Sequence, residues 1–170
     1  MTRWLRGVLF SLIICVAWGW MLTCLADEST LELIKPMSYS NAELRGQDFS
    51  HQDLRAADFA NANMEGANFS QADLRGAIFS ASVMQNANLR NANLQFAMMD
   101  LVDFTEAHLE DAIFSEALLL RSTFKGAHIE GTDFSDALLD GEQRGILCGL
   151  AEGINSKTGI STRESLNCKS

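Results

Sequence analysis

A chain of 170 residues, 47% of them apolar, is long enough for one domain with a sizeable core. Its 22 acidic residues outnumber 13 basic ones, a net charge of −9 that disfavours nucleic acid and anionic membrane surfaces as partners.

Residues 1–26 differ from the rest. Arg3 and Arg6 precede the apolar run GVLFSLIICVAWGWMLTCLA, and the acidic DEST comes after it. A short basic start, an apolar stretch and small residues near its end describe a secretory signal peptide, cut after Ala26. Two alternatives stay open. The run is near the lower limit for a membrane span, so it can be retained as an anchor, the one route to membrane contact in this chain. MLTC is a poor version of a lipoprotein cleavage box ending at Cys24. Removing residues 1–26 leaves 11 Lys/Arg against 22 Asp/Glu, a net of −11. Residues 27–40 read as an N-terminal cap. STLELIKPMSY offers a short helix with a Ser29…Glu32 capping box, stopped by Pro36, and Met37 and Tyr39 are placed to cover the start of the next segment.

Residues 41–140 have one rule. Every fifth residue from Leu44 to Leu139 is Leu, Phe, Met or Ile, and two residues earlier stands Ala in 14 of these 20 units. The exceptions are Gln47, Gln52, Ser82, Val102, Ser122 and Thr132. A period of five suits neither regular element. An α-helix returns about 140° out of phase after five residues, and a flat strand faces the opposite way. Both apolar positions stay inside only if the backbone turns a corner in every unit. The chain must coil around its own core, and successive coils then pair at the β spacing of about 4.8 Å. The fold class is an all-β solenoid.

The units read A-(D/N)-(L/F)-x-x and resemble the pentapeptide-repeat family without interruption over residues 42–140. The resemblance implies a right-handed quadrilateral β-helix, four units to a coil, with short helical N- and C-terminal caps. Twenty units then make about five coils, a rod of roughly 24 Å. Phe occupies alternate centres at 49, 59, 69 and 79, then at 104, 114, 124 and 134, with Met84, Leu89, Leu94 and Met99 between. With four sides, the Phe columns switch to the other two sides across that Phe-free coil, where flexible Met eases the change.

Residues 141–170 read as a C-terminal cap. Asp140…Gln143 opens a helix through EQRGILCGLAEG, with Ile146, Leu147 and Leu150 as its apolar side. NSKTG turns the chain, and Ser161…Glu164 starts a second helical piece that returns Cys168 to Cys148. In an exported protein this pair reads as a disulfide; two unrelated thiols are the alternative. The tail LCGLAEGINSKTGISTRESLNC resembles the C-terminal segment of thylakoid-lumen pentapeptide-repeat proteins of cyanobacteria and chloroplasts. That resemblance implies export to the thylakoid lumen or the periplasm.

Function must lie on the outward positions. They hold no Ser-His-Asp arrangement, no phosphate-cradling Gly loop and no cofactor motif, so the chain reads as a non-enzyme. Asp and Asn before the centres are what a solvated face of the repeat demands. Two columns depart from this, since residues 20 apart share a side. Ile78, Met98, Leu118 and Leu138 put four apolar residues in a row where Asp58 begins the column, with Leu120 beside them. Such a strip marks a contact surface for a protein partner or a homodimer, unless the C-terminal segment covers it. His108 and His128 stack with Glu110 and Glu130 beside them, a set able to hold zinc or copper or to respond to pH. Solvated His paired with Glu is the bland alternative. The expected function is a rigid protein-interaction scaffold in the thylakoid lumen, with no nucleic acid partner. The resemblance also implies a rival, since some acidic family members mimic DNA and bind topoisomerases.

Overall fold

The computed structural model describes residues 37–169. The expected signal segment and the helix over STLELIKP lie outside the described residues. From Ser38 to Leu138 the residues before each centre pair in parallel with the residue 20 positions on: Ser38 with Asp58, Asn63 with Val83, His108 with His128, Leu118 with Leu138. Four units therefore make one turn, and the coil has four sides.

Three bonds recur along the repeat. The centre donates its N–H up the ladder, as from Phe59 to the Ile78 carbonyl at 2.7 Å. The residue before the centre donates down it, as from Asn63 to the Ala42 carbonyl at 2.9 Å. The inward Ala closes the corner by donating to the preceding centre, Ala62 to Phe59 at 3.1 Å. The last residue of each unit takes a positive φ, 57° at Asn61 and 66° at Gly66. That is why Gly and Asn recur there. The carboxylate or amide before the centre serves the corner as well. Asp58 Oδ1 accepts the Ala60 N–H at 2.9 Å, and Asp103 Oδ1 accepts that of Thr105 at 2.9 Å.

Centres and alanines fill the interior. Phe59 and Phe79 stack at 5.0 Å on one side, Phe49 and Phe69 at 4.9 Å on the opposite one, meeting edge-on across the core. Tyr39, expected to cover the start of the repeat, does so by joining the column, stacked 4.8 Å from Phe59. Beyond the fully buried Met84, Leu89, Leu94 and Met99, stacking resumes between Phe104 and Phe124 at 5.2 Å and Phe114 and Phe134 at 5.4 Å. The Phe columns do change sides. At the same place the repeat breaks its Ala rule: the Ser122 hydroxyl accepts the Val102 N–H at 3.0 Å and donates to the Met99 carbonyl, bridging a corner that Val102 holds open.

After the last coil comes α1, Gly141–Leu150, with Asp140 and Gln143 forming a reciprocal capping box. It ends three residues before the expected Gly153. Ala151 turns extended, and the Glu152 carbonyl is freed to accept the Gly131 N–H at 2.9 Å. Of its expected apolar side only Leu147 is buried, while Ile146 and Leu150 are exposed. The short α2, Thr162–Ser165, is capped by Ser161. Cys148 and Cys168 form a disulfide.

The tail fits the open coil edge with polar side chains. Gln143 Nε2 donates to the carbonyls of Leu119 and Ser122 at 2.9 and 2.6 Å. Asn155 Nδ2 reaches those of Gly131 and Ala112 at 2.8 and 3.3 Å, and Ser165 Oγ accepts the Phe134 N–H at 3.0 Å. These contacts stand in for part of a further coil, satisfying the Gly131 and Phe134 N–H groups and the Ser122 carbonyl.

Candidate interaction surface

The ladder places Ile78, Met98, Leu118 and Leu138 in one unbroken column. Met98 is 43% and Leu138 59% exposed; Ile78 and Leu118 are half-buried, and Leu120 is exposed beside them. The C-terminal segment bonds to other positions. Gln143 and Ser165 sit on the end coil at Leu119, Ser122 and Phe134, and residues 155–157 run along the corner of Asn91, Asp111 and Gly131, where Lys157 Nζ reaches the Asn91 carbonyl and the Ser156 N–H reaches Asp111. Among the described residues, nothing from the tail hydrogen-bonds to the apolar column.

Two further residues belong to this face. Phe96 and Leu101 occupy the corners on either side of Met98, 53% and 47% exposed. Of the corner residues between 41 and 136 they alone are large and apolar, although both corners hold the left-handed φ, 61° and 60°. Sequence periodicity missed them because corner positions accept almost any residue. One coil on, the same two corners carry Glu116 and Arg121, neither of which makes an ion pair among the described residues. Asp100, the charge inside the patch, is turned onto Ser80 Oγ at 2.6 Å. Asp58 ends the strip, accepting from Ser40 Oγ at 2.5 Å.

The stacked imidazoles are present too. His108 and His128 lie 4.7 Å apart with planes 10° from parallel. His108, Glu110 and His128 each offer a ligand atom within 4.8 Å of the others, whereas Glu130 is exposed and outside that cluster. A residue not foreseen holds the site: Arg90 Nη2 donates to His108 Nδ1 and Glu110 Oε1, both at 2.8 Å. Arginine is a donor only, so His108 Nδ1 is the acceptor and carries its proton on Nε2. A metal lies in the plane of each imidazole that binds it, and two parallel rings share no such plane. Zinc held by both imidazoles requires one ring to rotate. Glu110 is partly buried, which pushes its carboxyl up; hydrogen bonds from its own backbone and from Arg90, with the Arg90 charge, bring it below the usual range.

Other carboxylates on the rod are held low as well. The N–H of Ser50 does this for Asp48, the Arg55 guanidinium for Asp53, Ser40 for Asp58 and Arg75 for Asp73. For Asp103 burial acts upward and is outweighed by Thr105 and Gln85. Each has a folded pKa below its unfolded one, so its contribution is complete above the unfolded value of about 4 and is lost as pH falls through the folded value. The melting temperature is therefore expected to stay flat from about pH 7 to 5 and to fall steadily from about pH 5 to 2 in a scanned pH series. A decline already complete between about pH 7 and 5 would assign the titration to the histidines instead.

The family model for the pentapeptide repeat region matches residues 52–134. Among solved structures, a pentapeptide repeat protein from the thylakoid lumen of Arabidopsis thaliana is 37% identical and superposes with a TM-score of 0.76, over 78% of this chain and 92% of its own. HetL, a pentapeptide repeat protein involved in heterocyst differentiation regulation in the cyanobacterium Nostoc sp., is 20% identical with a TM-score of 0.47, over 60% of this chain and 62% of its own. Comparison with the curated proteins finds no match.

Proposed function

The chain belongs to the pentapeptide-repeat family of right-handed quadrilateral β-helices, and from that membership we propose that it is a non-catalytic, rigid protein-interaction scaffold of the thylakoid lumen. The lumenal Arabidopsis relative supports the location, together with the basic-then-apolar start of the sequence. Protease protection in intact vesicles tests it.

One observation carries the role. At Ile78, Met98, Leu118 and Leu138 the repeat gives up the side chain that elsewhere accepts its corner N–H, as Asp58 does from Ala60 and Asn68 from Ser70. Each such bond is worth about 1 kcal/mol. The apolar replacements recover little of this while they face water, and they recover it when a partner covers them. The test is affinity co-purification from lumen and membranes, the chain against its Met98→Asp/Leu118→Asp variant, both confirmed folded. A partner retained by the first and lost by the second supports the scaffold reading on this face. The same partners with both baits overturn it, and a topoisomerase among them would favour the acidic DNA-mimic reading.

A further inference from the structure

Which partner this face fits can be read from its corners. We infer that the face joins two copies of this chain about a two-fold axis, with their solenoid axes parallel. The inference rests on reading the column as a contact surface, and it adds the identity of the occupant.

The face is four coils tall and apolar along its middle, with distinct residues at its two long edges. One edge carries Phe96 and Glu116, the other Leu101 and Arg121. A two-fold axis lying in the interface and parallel to the rod exchanges left and right without changing the coil. Met98 then meets the partner's Met98, Leu118 its own twin, and Phe96 of one copy meets Leu101 of the other. In the next coil Glu116 of one copy meets Arg121 of the other, twice over by symmetry. Two charges that lack an ion pair among the described residues gain one each, at the rim where water still reaches them.

The other two-fold arrangement runs the rods antiparallel, and it serves the same residues badly. Centred between the Met98 and Leu118 coils, it sets Phe96 against Glu116 and Leu101 against Arg121. Centred on the Met98 coil, it buries Leu138 against Asp58. Only the parallel axis matches apolar corner with apolar corner and acid with base. Two β faces packed this way lie about 10 Å apart with their strands aligned. The column from Ile78 to Leu138 spans three β spacings, about 14 Å, so the interface is at the small end of specific contacts and the dimer is weak and reversible, in the micromolar range.

The experiment is sedimentation equilibrium of the exported full chain from about 1 µM to 1 mM, with charge reversal and cross-linking. Glu116→Arg alone and Arg121→Glu alone each set like charges face to face and are expected to raise the dissociation constant about tenfold or more. The double reversal Glu116→Arg/Arg121→Glu restores the pair and is expected to return it to within about threefold of the parent. Met98→Cys alone is expected to give a covalent dimer with a bismaleimide of about 10 Å span, while Val83→Cys on the neighbouring face does not. A chain that stays monomeric throughout overturns the inference. So does a double reversal no better than the singles, or cross-linking that needs Met98→Cys and Leu118→Cys together, which marks the antiparallel axis. These failures are distinct from failure of the scaffold reading. A monomer whose Met98→Asp/Leu118→Asp variant still loses a co-purified protein keeps the surface and gives it another occupant.

Discussion

Phe104→Ala is expected to destabilise the protein by about 3–5 kcal/mol, a fall in melting temperature of about 6–20 °C. Phe104 is fully buried, stacked on Phe124 at 5.2 Å and edge-on to Phe114 at 6.0 Å. Its position matters as much as its size. In a solenoid each coil is supported mainly by its neighbours, so stability passes along the rod as a chain of nearest-neighbour contacts. Phe104 begins the second Phe stack, directly after the coil filled by Met84, Leu89, Leu94 and Met99, and a hole there weakens the joint between two halves. Phe49→Ala, in the first of the described coils and still 7% exposed, is expected to cost less. Denaturant melts of both variants decide the matter. Equal losses would mean that the coils do not depend on one another in this way. Met98→Asp, on the outside of the same coil region, is expected to leave the melt within a few degrees of the parent and to act on association alone.

That contrast between inside and outside tracks the limits of what the sequence discloses. The period of five forces a corner in each unit, and twenty consecutive centres leave no other solution, so the solenoid and its core were legible in the residues alone, while the change of Phe sides also needed the four sides that the family resemblance implies. The apolar column was legible once the resemblance supplied four sides, because stacking at a separation of 20 is their consequence. Phe96 and Leu101 were not, because the corner column tolerates Gly, Asn, Gln, Glu and Arg alike, and two apolar residues make no pattern there. Arg90 escaped notice because it meets His108 diagonally, 18 residues back rather than 20. Ser40 meets Asp58 and Gln85 meets Asp103 by the same diagonal step, so the separation of 18 is a second rule of the face. The tail was legible only in part. The capping box showed Gln143 as the partner of Asp140, but its bonds to Leu119 and Ser122 depend on which carbonyls lack a following coil. Asn155 looked like a turn residue, yet its side chain is buried and joins the turn of Lys157 and Thr158 to the carbonyls of Gly131 and Ala112.

Breaking the Cys148–Cys168 bond is expected to cost about 3 kcal/mol, the chain-entropy value for closing a loop of this length, and the loss is expected to fall on the tail first. The tail has a small apolar anchor, chiefly Leu147, Ala151 and Leu166, and otherwise holds the coil edge through Gln143, Asn155 and Ser165. These bonds form together only while α1 and the chain after α2 stay close, which the disulfide enforces. In Cys148→Ser/Cys168→Ser, limited proteolysis should nick residues 141–169 under conditions in which the repeat stays intact. Opening the tail uncovers the Gly131 and Phe134 N–H groups and the Ser122 carbonyl, an unpaired β edge of the kind that recruits another chain. The variant should therefore associate end to end, and this association should be indifferent to Glu116→Arg, because it does not use the lateral face. A variant that melts with the parent and resists the protease would show that the polar contacts alone hold the tail. Association abolished by Glu116→Arg would place both events on the lateral face, and the coil edge would then need no protection from the tail.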